Sequence, residues 1–66
     1  MKSEKIRYVD EKEVSRITGR AVQTLRNERF MGKGFPYIKV GGSVRYNLGD
    51  VIEFMEKRKI RTGDAY

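Results

Sequence analysis

The stretch Val9-Asp10-Glu11-Lys12-Glu13-Val14-Ser15-Arg16-Ile17-Thr18-Gly19-Arg20-Ala21-Val22-Gln23-Thr24-Leu25-Arg26-Asn27-Glu28-Arg29-Phe30 decides how this chain folds, because it encodes two helices with almost nothing between them. Asp10 is a natural N-cap with Glu13 three residues on, a capping-box arrangement, and Val9 and Val14 occupy the two positions of a hydrophobic staple. The spacing predicts a helix from Glu11 to Thr18, with Val14 and Ile17 facing inward and Gly19 as the point where the chain leaves it. A second helix is expected from about Ala21 to Phe30. At about 100° per residue, Val22, Leu25 and the stem of Arg29 fall on one side of it. Arg20, Gln23, Thr24 and Asn27 cluster on the opposite side, and Arg26 and Phe30 lie on the flank between. Two helices this close in sequence are a helix-turn-helix candidate.

Downstream, Met31-Gly32-Lys33-Gly34-Phe35-Pro36 breaks the helical period, and Pro36 bars a helical Phe35. Gly32-Lys33-Gly34 follows a helix rather than a strand and lacks the Walker spacing, so it reads as a hinge loop. Tyr37 to Val40 and Val44 to Tyr46 alternate around Gly41-Gly42-Ser43, the mark of a β-hairpin. A two-residue turn would mix apolar and polar residues on each face. A three-residue loop pairs Val40 with Val44 and Ile38 with Tyr46 on one face and sets Lys39 against Arg45 on the other, and the apolar pattern favours it. Asn47 then caps a last helix, with Asp50 near its positive end, Tyr46 and Val51 as a second staple, and Leu48, Val51, Ile52 and Met55 as its stripe.

The expected core is therefore Val14, Ile17, Val22, Leu25, Ile38, Val40, Val44, Tyr46 and that stripe. Phe30 and Met31 are expected to pack with the loop onto the hairpin. Arg7-Tyr8-Val9 reads as a short extended lead-in. The whole is one α+β domain, helix, helix, two-stranded hairpin, helix, ordered over about 7–60, with a frayed tail from Thr62.

The chain has 66 residues, and a domain this small buries a modest share of its unfolded surface. It has no Cys and no His, which removes disulfides, thiolate metal sites, the commonest metal ligand and the usual general base. A catalyst also needs titratable groups held in a buried pocket, for which so small a fold has little interior. Neither an enzyme, a cofactor nor a metal site is expected. No apolar run is long enough to span a bilayer, and Met1-Lys2-Ser3-Glu4-Lys5 lacks the apolar stretch of a signal peptide, so the expectation is a cytoplasmic protein without a membrane partner.

Charge gives the first positive clue. Fifteen Lys and Arg against nine Asp and Glu leave +6. The charges of residues 1–14 cancel, and so do those of residues 47–66; the whole excess lies between them, where Arg16, Arg20, Arg26, Arg29, Lys33, Lys39 and Arg45 face only Glu28. A basic segment between neutral ones is the footprint of a polyanion-binding surface, although a merely soluble basic protein has the same charge.

The second helix adds chemistry to that charge. Arg can fork onto guanine, Asn or Gln onto adenine, and the Thr methyl can touch a thymine methyl. A purely solvated helix face is more often built from Glu and Lys in opposite pairs. In the hairpin, Lys39 opposite Arg45 would repel, a strain that a phosphate would relieve or that splaying in water would dissipate. The Gly41-Gly42-Ser43 tip could approach a nucleic-acid backbone closely with its main-chain N–H groups. Lys57, Arg58, Lys59 and Arg61 are already favoured by the helix dipole and need no ligand.

Taken in order and spacing, several segments resemble the excisionase and AlpA-like regulators of prophages and other mobile elements, winged helix-turn-helix proteins akin to the N-terminal domain of MerR regulators. The similar segments are Val9 to Gly19, Thr24-Leu25-Arg26-Asn27, Pro36 to Gly41 leading into Val44-Arg45-Tyr46, and Asp50 to Phe54, so the resemblance covers about Tyr8 to Arg58. It implies double-stranded DNA as partner, with the second helix in the major groove through Gln23, Thr24, Arg26 and Asn27 and the hairpin wing on the adjacent minor groove through Lys39, Ser43 and Arg45. Ala21 stands where the family usually has a Ser cap, which leaves the start of the second helix and the place of Arg20 open. The implied role is either that of an excisionase, a recombination directionality factor that bends DNA, assists a site-specific integrase and associates cooperatively along DNA, or that of a transcriptional regulator. Both need the same surface. The reading from another class is a protein-interaction adaptor whose basic face binds an acidic partner.

Overall fold

A computed structural model of the protein describes residues 6–60; Arg61 and the tail from Thr62 lie outside the described residues. The elements are β1 (Tyr8–Val9), α1 (Glu11–Thr18), α2 (Val22–Phe30), β2 (Ile38–Val40), β3 (Ser43–Asn47) and α3 (Leu48–Glu56). The architecture is α+β, three helices on a three-stranded antiparallel sheet of order β1-β3-β2. Among the described residues no helix is long and apolar enough to cross a membrane.

The bounds of α1 are those the sequence predicts. Asp10 Oδ1 accepts the Glu13 N–H at 2.9 Å, and Gly19 closes the helix in the left-handed region with its N–H on the Ser15 carbonyl at 2.8 Å. Glu13 does not turn back to complete the capping box; its carboxylate is taken by Arg16. In the turn, Thr18 Oγ1 donates to the Val14 carbonyl and accepts the Arg20 N–H. α2 begins at Val22 on Ala21, whose extended backbone sets it at the N-cap without a side chain to accept a hydrogen bond. Asn47 Oδ1 caps α3, accepting from the Gly49 and Asp50 N–H groups.

The lead-in is a strand. Tyr8 pairs with Asn47 and Val9 with Tyr46, and the Leu48 N–H donates to the Arg7 carbonyl at 2.8 Å. Two residues carry no visible alternation, so only β3 reveals them as a strand.

The hairpin register corrects the expectation. Val40 pairs with Ser43, Lys39 with Val44 and Ile38 with Arg45, so the connection is the two-residue turn Gly41-Gly42. Gly41 has φ +59°, and Gly42 is not in the positive region, the pattern of a type II′ turn whose twist matches the strands it joins. The turn chemistry prevails because no face of β2 is needed for the interior. Lys39 therefore lies on the face of Val44, Arg45 lies on the face of Ile38, and the two cations do not oppose each other.

The core is Val9, Val14, Leu25, Phe35, Tyr46 and Val51, with Val44 and Phe54 packed against it. Val22 and Leu48 are half-buried, whereas Ile17, Ile38, Val40, Ile52 and Met55 are exposed, with Val40 at 65%. The main correction is Phe35. The loop after α2 crosses close against it, at Gly34 with φ +91°, where an added Cβ would sit 2.9 Å from Glu28 Cβ. Phe35 then enters the interior and packs against Phe54, with ring centroids 4.7 Å apart and planes tilted by 59°. That contact turns α3 so that Phe54 joins the expected Val51 at the core while Ile52 and Met55 stay exposed. Phe30 and Met31 do not pack onto the hairpin; Phe30 is 94% exposed, lying five residues beyond Leu25 and so about 140° around the helix from it.

Candidate nucleic-acid interface

The exposed residues of α2 include Gln23, Arg26 and Asn27, while Thr24 is half-buried beside them. Gln23 Nε2 donates to Asn27 Oδ1 at 3.0 Å, one turn along the helix, so the two amides form a polar ridge. Arg20 departs from that cluster. Its guanidinium pairs with Glu28 and lines a separate cavity with Lys33, Phe35 and Arg58, away from the hairpin.

Arg26 reaches from α2 to α1. Its Nε donates to both Glu11 oxygens, at 3.2 and 3.1 Å, and its Nη2 to Glu11 Oε2 at 2.6 Å. Arg29, a turn inward from it, lies 3.2 Å from Glu11 Oε1 and donates from Nη1 to the Tyr46 hydroxyl at 2.6 Å. The Arg29 guanidinium also sits 5.8 and 5.9 Å from the ring centroids of Tyr37 and Tyr46. The hydrogen bond from Arg26 holds the Glu11 carboxyl below its ordinary pKa against the opposing pull of its burial, and Arg29 adds to the effect. Burial pushes the Arg29 guanidinium down, and the Tyr46 hydroxyl and Glu11 outweigh it. The result is one charged knot joining α1, α2 and β3.

Two grooves meet at that knot. In one, Arg26 and Glu11 face the hairpin tip at Gly42, Ser43 and Arg45; in the other, Arg26 and Phe30 face Tyr37 and Lys39. The hairpin thus stands beside the flank of α2 that carries Arg26, which meets Ser43 and Arg45 in one groove and Lys39 in the other; Gln23 and Asn27 line neither groove. At Gly41 and Gly42 an added Cβ would meet nothing within 4 Å, which leaves the tip open to an approaching surface. Arg45 folds back, its Nη1 donating to the Val44 carbonyl at 2.8 Å.

The charge distribution differs from the linear one. Glu11 and Glu13, members of a neutral segment in the sequence, fold over the basic centre and pair with Arg26, Arg29 and Arg16, and Glu28 takes Arg20. Of the seven central cations, Lys33, Lys39 and Arg45 have no ion-pair partner among the described residues. Lys57 and Lys59 pair with Glu53 and Glu56, and Arg58 lies 3.5 Å over the Phe54 ring. Glu11 is the residue of this candidate site that the sequence pattern does not reveal. A cross-helix partner fifteen residues away leaves no periodic signal in one sequence.

No protein-family model, curated protein or solved structure matches the chain.

Proposed function

We propose that this protein is a sequence-specific double-stranded DNA-binding protein with a winged helix-turn-helix fold, of the excisionase or AlpA-like regulator kind, with α2 as recognition helix and the β2–β3 hairpin as wing. The observation that carries this reading is the shared flank: Arg26 of α2 lines two grooves, one with Ser43 and Arg45 of the hairpin and the other with Lys39, and Gln23 and Asn27 are exposed on the same helix. A helix fits the major groove, where Gln23 and Asn27 match the N6 and N7 pattern of adenine and Arg26 matches the O6 and N7 acceptors of guanine. Thr24, at the edge of that face, is suited to a thymine methyl. Lys39 and Arg45, without ion-pair partners among the described residues, suit phosphates, and the N–H groups at Gly41 and Gly42, with the Ser43 hydroxyl beside them, suit close approach to the backbone. On this reading the protein binds DNA and catalyses nothing, and an integrase is its further partner only in the excisionase role.

Selection from a random duplex pool, followed by affinity measurements on the selected and on random DNA across a salt series, tests the proposal. Binding is expected to weaken steeply with salt. Asn27→Ala is expected to narrow the gap between selected and random duplex by about 1–3 kcal/mol, whereas Lys39→Ala weakens both alike and lowers the salt slope by about one. Equal losses on both DNAs from Asn27→Ala would remove α2 from base reading. Absence of duplex binding, with capture of an acidic peptide instead, would favour the adaptor.

A further inference from the structure

We infer that Glu11 on α1 is a positioning residue for sequence discrimination: it grips Arg26 by one edge of the guanidinium and presents the other edge, in a fixed plane, to a guanine. The inference rests on the DNA-binding reading above and adds to it a residue that lies outside the recognition helix and the wing.

A guanidinium is a planar fork with distinct donating edges. Glu11 takes the edge formed by Nε and Nη2, through contacts of 3.2, 3.1 and 2.6 Å. The opposite edge, formed by Nη1 and the remaining N–H of Nη2, makes no hydrogen bond among the described residues. The Arg26 side chain is 52% exposed, so that edge is reachable, while the Glu11 side chain is only 18% exposed. Glu11 is itself held: it sits in the first turn of α1, where a negative charge meets the positive end of the helix, and its Oε1 is shared with Arg29, which is anchored on the Tyr46 hydroxyl. Arg26 is thereby oriented relative to α2, α1 and the sheet at once. Guanine offers two acceptors side by side in the base-pair plane, and only a fork already lying in that plane engages both.

The electrostatics point the same way. A carboxylate in the groove between recognition helix and wing repels phosphate, so it opposes indiscriminate binding to any duplex. Glu13, on the same helix, carries the same charge but turns it onto Arg16 and lines neither groove. It is therefore a matched control: Gln at position 11 or at position 13 raises the net charge by the same amount.

The experiment repeats the duplex selection with Glu11→Gln, Glu11→Asp, Glu13→Gln and Arg26→Ala, and measures affinities for the wild-type selected duplex and for random duplex. Glu13→Gln is expected to raise both affinities by the same small factor. Glu11→Gln is expected to raise random-duplex affinity and to shrink the selected-to-random ratio about tenfold, and its selected sites are expected to lose guanine preference at one position while keeping the adenines read by Gln23 and Asn27. Glu11→Asp, which keeps the charge and shortens the reach, is expected to lower the ratio without raising random affinity. Arg26→Ala is expected to lose the same guanine whatever the folding stability of the Glu11 variants. A ratio and a set of preferences in Glu11→Gln and Glu11→Asp indistinguishable from those of Glu13→Gln would overturn the inference and leave the DNA-binding reading standing. Failure of the wild-type chain to bind any duplex would overturn both.

Discussion

α1 and α2 are adjacent helices of nearly equal length, held in place by opposite means. α1 carries its own instructions: Asp10 caps it, Val9 and Val14 pin its first turn, and Gly19 ends it. α2 starts on an uncapped Ala21, buries only Leu25 fully, and is otherwise fastened by its neighbours, through Glu11 of α1, the Tyr46 hydroxyl of β3 and the loop that presses Gly34 against Glu28. A helix secured from outside and along one edge has its remaining side chains free of structural duty. That freedom is what leaves Gln23 and Asn27 exposed, as the proposed base-reading role requires.

The largest test of this contrast is Leu25→Ala. As the one fully buried anchor of α2, it is expected to cost about 2–5 kcal/mol in urea unfolding, whereas Val40→Ala on the outer face of the hairpin stays within about 0.5 kcal/mol. Similar losses from both would mean that α2 is not hung on that single side chain. Gly34→Ala comes next. It forces a Cβ onto Glu28 at a left-handed φ, and unfolding is expected to show a loss of about 1–3 kcal/mol. The caps come third and have opposite signs. Asp10→Ala is expected to cost about 1 kcal/mol, and Ala21→Ser, which supplies the missing acceptor at the head of α2, to gain up to about the same amount by thermal melting. No gain from Ala21→Ser would show that the first turn of α2 is already satisfied.

The smallest effect is one of pH. Because Arg26 and Arg29 hold the folded Glu11 carboxyl below its ordinary pKa, the unfolded chain takes up its proton first as the solution is acidified. The stabilisation is therefore fully present above the ordinary carboxylate range and is lost as pH falls through the folded value. Glu13 is lowered in the same direction by Arg16, whose side chain is 71% exposed, and screening by solvent weakens that pair. The acid limb of a stability-versus-pH curve is accordingly expected to flatten more in Glu11→Gln than in Glu13→Gln. Equal flattening would place both pairs on the same footing and erase the special standing of the α1–α2 clasp.

The same contrast explains what was legible in the sequence. Asp10, Gly19 and Asn47 act on backbone groups a few residues away, so the bounds of α1 and the start of α3 follow from local chemistry. The exposed amides of α2 follow from its period. The core could not be read that way, because Phe35 is brought inside by a loop whose path depends on Gly34 passing Glu28, and its packing against Phe54 then chooses which face of α3 is buried. The hairpin register departs from the apolar pattern because Ile38 and Val40 need no interior and, in a sheet with so little core, remain outside. The charge map was incomplete for a related reason: summing charges along the chain cannot show that Glu11 reaches across to Arg26 and Arg29.

One consequence of the glycine turn is practical. Gly42 has an ordinary φ and empty space around it, and the chain contains no cysteine. A single thiol installed there would be the molecule's sole site for a maleimide dye, at the outermost point of the ribbon, where an environment-sensitive fluorophore could signal docking of the hairpin separately from docking of the helix.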